Sequence, residues 1–318
     1  MKRMLVTGAV GQIGSELTML LREKYGGDQV LAAGHHTKPT QKLENSGPFE
    51  FIEITKPGEV TNIIKKYEIG TIYHMAAILS AVGEKKPQLA WDVNMNGLYY
   101  ILEAARESNC AVFVPSSIAA FGPNTPKDNT PQDTIQRANT MYGVTKVAGE
   151  LLCDYYWTRF NLDTRGLRYP GIISYETLPG GGTTDYAVEI YYEALKQKKY
   201  ECFLGPETQL DMMYMPDALN ATIELMEADP DKLVHRNAFN VTAFSITPEH
   251  IAASIKKFIP EFTISYKPDP VRQAIADSWP NNMDDSCATR EWGWKPQYDL
   301  DAMTEDMLKN LKIKLQIN

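Results

Sequence analysis

The segment TGAVGQIG, Thr7 to Gly14, constrains this 318-residue chain more than any other stretch. It sets Gly8, Gly11 and Gly14 between an apolar run, KRMLVTG, and a helix-period stretch from Gln12 to Tyr25. Without Cβ atoms at these positions, strand and helix pack closely and a phosphate can approach the amides at the helix N-terminus. A bare glycine pattern is a weak signal, because a structural turn looks similar. The strand before it and the amphipathic helix after it supply the required context. A dinucleotide-binding turn is therefore expected, in the spacing Gly-x-x-Gly-x-x-Gly.

Strand and helix patterns then alternate for about 170 residues, which predicts right-handed crossovers and a parallel, doubly wound α/β sheet. Further strands are expected at Gln29 to Ala33, Phe49 to Ile54, Ile69 to His74, Cys110 to Pro115 and Thr164 to Arg168. Helices are expected from near Pro57, from Trp91 to Glu107 and from Met141 to Phe160. The rhythm changes after Tyr169. GIISYETLPGGGTTD reads as a loop, and long loops in compact domains are often functional. Shorter mixed elements follow, with helices near Asp185 to Lys196, Pro216 to Glu227 and Asp299 to Leu311. The expected architecture is a Rossmann-type domain over 1–175 and a smaller mixed α/β substrate lobe over 176–318. Later segments are expected to return to the first domain, and the lobe to close over the sheet's carboxyl edge.

Composition excludes several classes. Acidic residues outnumber basic ones, 40 to 32, for a net charge of -8, which argues against a nucleic-acid-binding surface. No apolar run is long enough to span a bilayer, and MKRMLVTG runs straight into a strand, leaving no room for a signal peptide. Cys110, Cys153, Cys202 and Cys287 form no CxxC pair, so reduced thiols in a cytoplasmic protein are expected. The five histidines show no metal-ligand spacing, and no metal is expected.

The stretch MYGVTK carries Tyr142 and Lys146 four residues apart, on one face of a helix. An ammonium beside a phenol favours phenolate, which suits Tyr142 to act as general base on a hydroxyl. The spacing is poor support alone: among 17 tyrosines, Tyr192–Lys196 repeats it and reads as an ordinary helix surface. What promotes Tyr142 is that the fifth strand ends in VPSS. Ser116 and Ser117 thus fall at the carboxyl end of the sheet, where ligands of such folds bind. Ser117 is placed to hold a substrate oxygen; strand-end capping is the plain alternative.

Together TGAVGQIG, VNMNG, VPSSIAAFGP, MYGVTKVAGE and REWGWKPQYDL resemble the extended short-chain dehydrogenase/reductases, the superfamily of sugar-nucleotide epimerases and dehydratases. More closely, HMAAILSA, RYPGIISYETLPGGGTTDYAVEIY, KKYECFLGPETQLDMMYMPDA and DSWPNNMDDS resemble the short-chain-type L-threonine 3-dehydrogenases. That resemblance implies NAD as cofactor, oxidation of the β-hydroxyl of L-threonine to 2-amino-3-oxobutanoate in threonine catabolism, and a homodimer. It implies that Gly8, Gly11, Gln12, Ile13 and Gly14 hold the pyrophosphate and Glu53 with Ile54 the adenine. The same resemblance places Ala76, Ala77 and Asn94 along the cofactor path and Ile172 beside the nicotinamide. Tyr142 is the implied base, Lys146 binds the nicotinamide ribose and Ser117 contacts the substrate hydroxyl. Ser80, Thr183, Thr184 and Trp279 fall in the stretches that form the amino-acid pocket; a capped turn or half-buried aromatic is the plain alternative for each. The aromatic residues Tyr99, Tyr100, Tyr155, Tyr156 and Trp157 are shared between interface and core.

Two positions depart from the patterns. Sugar-nucleotide enzymes of the superfamily usually carry an arginine, paired with substrate diphosphate, where this chain has Leu210. A leucine offers no charge-assisted bond, which favours a small substrate over an epimerase's sugar nucleotide. A binding protein that senses the cofactor without chemistry is the third reading, and the presence of both Tyr142 and Lys146 speaks against it. The other departure lies in LAAGHHTKP. About twenty residues after the glycine turn an acid is expected to bond the adenosine ribose, and the chain has Gly34, followed by His35 and His36. NAD use with weakened discrimination against NADP is expected, with His35, His36 or Lys38 near a 2′-phosphate.

Overall fold

The computed structural model describes residues 2–177 and 182–317; positions 178–181 of the glycine-rich loop lie outside the described residues. In chain order the elements are β1 Arg3–Thr7, α1 Gln12–Tyr25, β2 Val30–Gly34, α2 Gln41–Asn45, β3 Phe49–Phe51, α3 Glu59–Tyr67 and β4 Ile69–His74. Next come α4 Ser80–Lys85, α5 Pro87–Trp91, α6 Gly97–Ser108, β5 Ala111–Phe113, β6 Ser116–Ser117, α7 Met141–Phe160, β7 Thr164–Arg165, β8 Leu167–Tyr169 and β9 Gly171–Ile173. The chain continues with α8 Tyr186–Gln197, β10 Lys199–Cys202, β11 Leu210–Tyr214, α9 Met215–Glu227, β12 Phe239–Asn240 and β13 Phe244–Ile246. It ends with α10 Pro248–Phe258, β14 Thr263–Tyr266, α11 Pro270–Ala276, α12 Ser286–Trp292 and α13 Leu300–Leu315.

The chain divides into two compact units. The first comprises Met1–Ala120, Ala138–Arg168 and Leu219–Phe239. Its sheet has six strands in the order β3-β2-β1-β4-β5-β7, all parallel. Strand order reverses between β1 and β4, so their carboxyl ends form the crevice where such sheets bind ligands. Leu5, Ile72 and Val112 from the strands pack with Ile101, Leu102 and Tyr156 from α6 and α7 into one core. Each such fully buried aliphatic side chain contributes roughly 1.5–3 kcal/mol.

The second unit comprises Phe121–Arg137, Tyr169–Ala218 and Asn240–Asn318. It holds a three-stranded sheet, β13-β11-β9, and a parallel pair of β10 and β14. Helices α8, α10 and α13 cover a separate core that includes Tyr186, Tyr191, Met212 and Met307.

Three local departures from the expected elements have physical causes. The strand expected over Thr164 to Arg168 is interrupted at Gly166, whose N–H donates to Arg236 O and whose carbonyl accepts from Phe239 N. Pro57 precedes rather than opens its helix, since Gly58 takes a left-handed φ of 90° and α3 starts at Glu59. The long helix expected from Trp91 to Glu107 carries a π turn over Asp92–Asn96 between α5 and α6. Such turns admit one extra residue into the helix and often mark functional sites.

Candidate functional site

The glycine turn is closed by backbone contact. Gly8 has φ of 66°, and a Cβ there would stand 2.7 Å from Ala76 N. A Cβ on Gly14 would stand 2.2 Å from Gly8 O, so the helix meets the end of β1 only because Gly14 lacks one. Gly11 is the N-cap of helix α1, which has no side-chain cap and no acidic residue in its first turn. Its leading amides and the positive end of its dipole are therefore directed at whatever lies beyond the turn. These are the features a pyrophosphate needs, and the residues fit one.

Beside the turn, the exit of β4 is tied to β1. Thr7 Oγ1 lies 2.9 Å from His74 Nδ1 and accepts a long bond from Ala76 N at 3.4 Å. Burial, and then the charge of Lys146, push His74 down to about 3, so this imidazole is neutral. A recess in the first unit runs from Ala76 and Ala77 past Asn94 and Lys146 to Glu150.

Helix α7 presents Tyr142 and Lys146. Thr140 caps it, its Oγ1 accepting from Gly143 N at 3.1 Å. A Cβ on Gly143 would stand 2.2 Å from Ala119 O, so this glycine lets the helix lie against the turn that follows β6. Tyr142 faces Ser117 there, and Ser117 Oγ accepts from Ala119 N at 3.2 Å. Burial pushes Tyr142 up to about 12, and the hydroxyl of Ser117 pulls the other way. Lys146 Nζ stands over the Tyr142 ring, 5.4 Å from its centre, and donates to Pro115 O at 2.6 Å. Burial depresses Lys146 to about 8, and Glu150 opposes the fall.

The pair Tyr192–Lys196 has the same ring-to-ammonium distance, 5.4 Å. Local helix geometry thus does not distinguish the two. The surroundings do: Lys196 is exposed beside Glu193, whereas Lys146 is half-buried and lines the recess.

Behind Lys146 lies a buried ion pair that the motifs did not reveal. Glu150 accepts from Arg168 Nε at 3.0 Å and Nη2 at 2.8 Å, and Ser116 Oγ bonds the same carboxylate. The available signal was spacing, since Tyr142, Lys146 and Glu150 recur every four residues. Asn94, turned inward by the π turn, accepts from Ile78 N at 2.7 Å. It also donates to Ile78 O at 3.0 Å and Thr145 Oγ1 at 3.1 Å. It thereby joins the β4 exit to the catalytic-type helix.

The remaining sites expected from sequence are distributed between the units. Ser80 opens α4, half-buried, and Ile54 belongs to the core of the first unit. Glu53 and His35 contact each other at 2.6 Å. In the second unit Ile172 lies in β9, and Thr183 is buried at the start of a short turn before α8. Thr184 stands beside Gly171, and Trp279 packs against the core of its own unit. Of the aromatic residues on α6 and α7, Tyr156 is core, Trp157 stacks with Arg236, and Tyr99 and Tyr155 are exposed.

A parallel sheet with a switch point, a glycine-lined helix N-terminus and a Ser–Tyr–Lys cluster beyond its edge define a dinucleotide-dependent enzyme of the short-chain dehydrogenase/reductase type. Residues 4–242 match the NAD dependent epimerase/dehydratase family, and the chain belongs to it, with NAD as its cofactor. It is 60% identical to an L-threonine dehydrogenase of Clostridium difficile, with a TM-score of 0.97, over 99% of this chain and 98% of that one. A GalE-like L-threonine dehydrogenase from Cupriavidus necator, in its holo form, is 48% identical with a TM-score of 0.94, over 98% and 100%. An uncharacterised epimerase/dehydratase of Staphylococcus haemolyticus is 54% identical over 99% of both chains.

Proposed function

We propose that the protein is an L-threonine 3-dehydrogenase, oxidising the β-hydroxyl of L-threonine to 2-amino-3-oxobutanoate. The observation that carries this reading is the likeness, at 60% identity over nearly the whole chain, to an L-threonine dehydrogenase. Leu210 supports it against a sugar-nucleotide substrate, because this residue is fully buried in β11, paired with Ile246, and offers nothing to a diphosphate.

Tyr142 takes the proton of the substrate hydroxyl while Ser117 orients the oxygen. When bound, NAD supplies the hydride acceptor and a positively charged ring. Lys146, held by Pro115 O, places its ammonium against Tyr142 and favours the phenolate. Ser80, Thr183, Thr184 and Trp279 are assigned to the amino-acid pocket, and Gly8, Gly11, Gln12, Ile13, Gly14, Ala76, Ala77, Asn94 and Ile172 to the dinucleotide. Exposed Tyr99, Val144, Leu151 and Tyr155 on α6 and α7 support a homodimer formed through these helices.

The test is NADH formation with L-threonine, run beside turnover of a UDP-sugar. Threonine-dependent NADH formation, lost by at least about a hundredfold in Tyr142→Phe with NAD binding retained, is the expected result. Turnover of the UDP-sugar with none of threonine overturns it, as does near-normal activity in the variant. A monomer mass by light scattering refutes the dimer.

A further inference from the structure

Residue 34, where the strand-end acid is missing, lies against an aromatic ring. A Cβ on Gly34 would stand 2.9 Å from Phe49 Cζ and 3.5 Å from Val10 Cγ1. Phe49 is itself packed edge-on against Phe51, ring centres 5.1 Å apart. The ring occupies the space that a side chain at 34 needs.

Negative charge nonetheless stands at this edge, delivered by the neighbouring strand. The register pairs Gly34 with Phe51, and Ile52 N donates to Gly34 O at 2.8 Å, so Glu53 leaves β3 one residue further on. Its Oε2 lies 2.6 Å from His35 Nε2. Its Oε1 accepts from Thr55 N at 3.2 Å and Thr55 Oγ1 at 2.8 Å. A second carboxylate, Glu59, accepts from Glu53 N at 2.8 Å. Burial would raise Glu53, but the bonds from Thr55 and the contact with His35 outweigh it and hold the carboxyl below its usual range. His35 is engaged with Glu53, and Lys56 stands 3.7 Å from Glu59. No arginine occurs between residues 35 and 56 to clamp a phosphate.

We propose that Glu53, fixed by His35 and Thr55, discriminates between dinucleotides, disfavouring a 2′-phosphate from the end of β3 as a carboxylate at residue 34 does in other folds of this kind. His35 then acts as a positioning residue for Glu53 and does not read the phosphate. The inference rests on NAD as cofactor and is independent of the substrate.

The test is calorimetric binding of NAD and of NADP to the full chain without substrate, for the wild type, Glu53→Gln and His35→Asn. Glutamine preserves the shape and the bonds with Thr55 while removing the charge. The wild type should bind NAD more tightly, and Glu53→Gln should narrow the ratio at least about tenfold, chiefly by tightening NADP. His35→Asn, which leaves the charge of Glu53 but loosens its position, should narrow the preference less than Glu53→Gln does. Equal weakening of both dinucleotides in Glu53→Gln overturns the proposal, since it makes Glu53 an adenine contact or a structural residue. An unchanged ratio, a wild type that prefers NADP, or a preference narrowed only in His35→Asn overturns it as well. An absence of activity on L-threonine leaves these measurements unaffected.

Discussion

Lys146→Met should abolish activity yet raise the stability of the cofactor-free protein at neutral pH. Burial lowers the Lys146 pKa from 10.5 to about 8. At 1.36 kcal/mol per unit, that shift corresponds to about 3 kcal/mol by which the folded chain disfavours the ammonium. Between pH 8 and 10.5 the unfolded chain holds a proton that the folded chain has released. Stability arising from this group therefore rises with pH across that window; the penalty is complete below it and absent above it. Methionine matches the stem and carries no charge. It forfeits the 2.6 Å bond to Pro115 O, an offset of about 1–3 kcal/mol that is present at every pH. The offset cancels when the variant's advantage is compared between two pH values. Urea unfolding of both proteins at about pH 7 and pH 10 should show that advantage falling by about 2–3 kcal/mol. A difference that stays constant with pH, or grows, would refute the assignment of a strained buried ammonium.

Two further outcomes follow from the contacts. Gly14→Ala should cost about 1–3 kcal/mol of overpacking against Gly8 O and weaken NAD binding at least about tenfold, read by calorimetry; unaltered affinity would mean the turn is not the pyrophosphate site. Glu150→Gln should destabilise the fold by about 3–5 kcal/mol by leaving Arg168 buried without its partner, whereas Glu150→Leu with Arg168→Met should recover most of that in urea unfolding.

Much of the site was legible before folding because its signals are local. Helix α1 and helix α7 fall at the expected residues, since each is marked by periodicity and a defined start: glycine for the first, the Thr140 cap for the second. The six-stranded parallel sheet follows from alternation, which admits few other topologies. Other features depend on partners far away in sequence. The π turn at Asp92–Asn96 leaves no mark on the apolar period, and Asn94 acquires its role from Ile78 and Thr145. The break at Gly166 is set by Arg236 and Phe239, which only the folded chain brings alongside.

Fold class and the glycine turn were legible in the sequence because strand–helix alternation and glycine spacing act over a few residues at a time, and longer motifs carried the resemblance to the family. Tertiary structure decided which of two identical Tyr–Lys spacings has its lysine in a recess, and it joined Glu150 to Arg168 behind that one. It also decided what replaces the acid at Gly34, by setting the Phe49 ring against that residue and Glu53 beside His35. Burial and charge pairing are properties of neighbours in space, and only the folded chain assembles them.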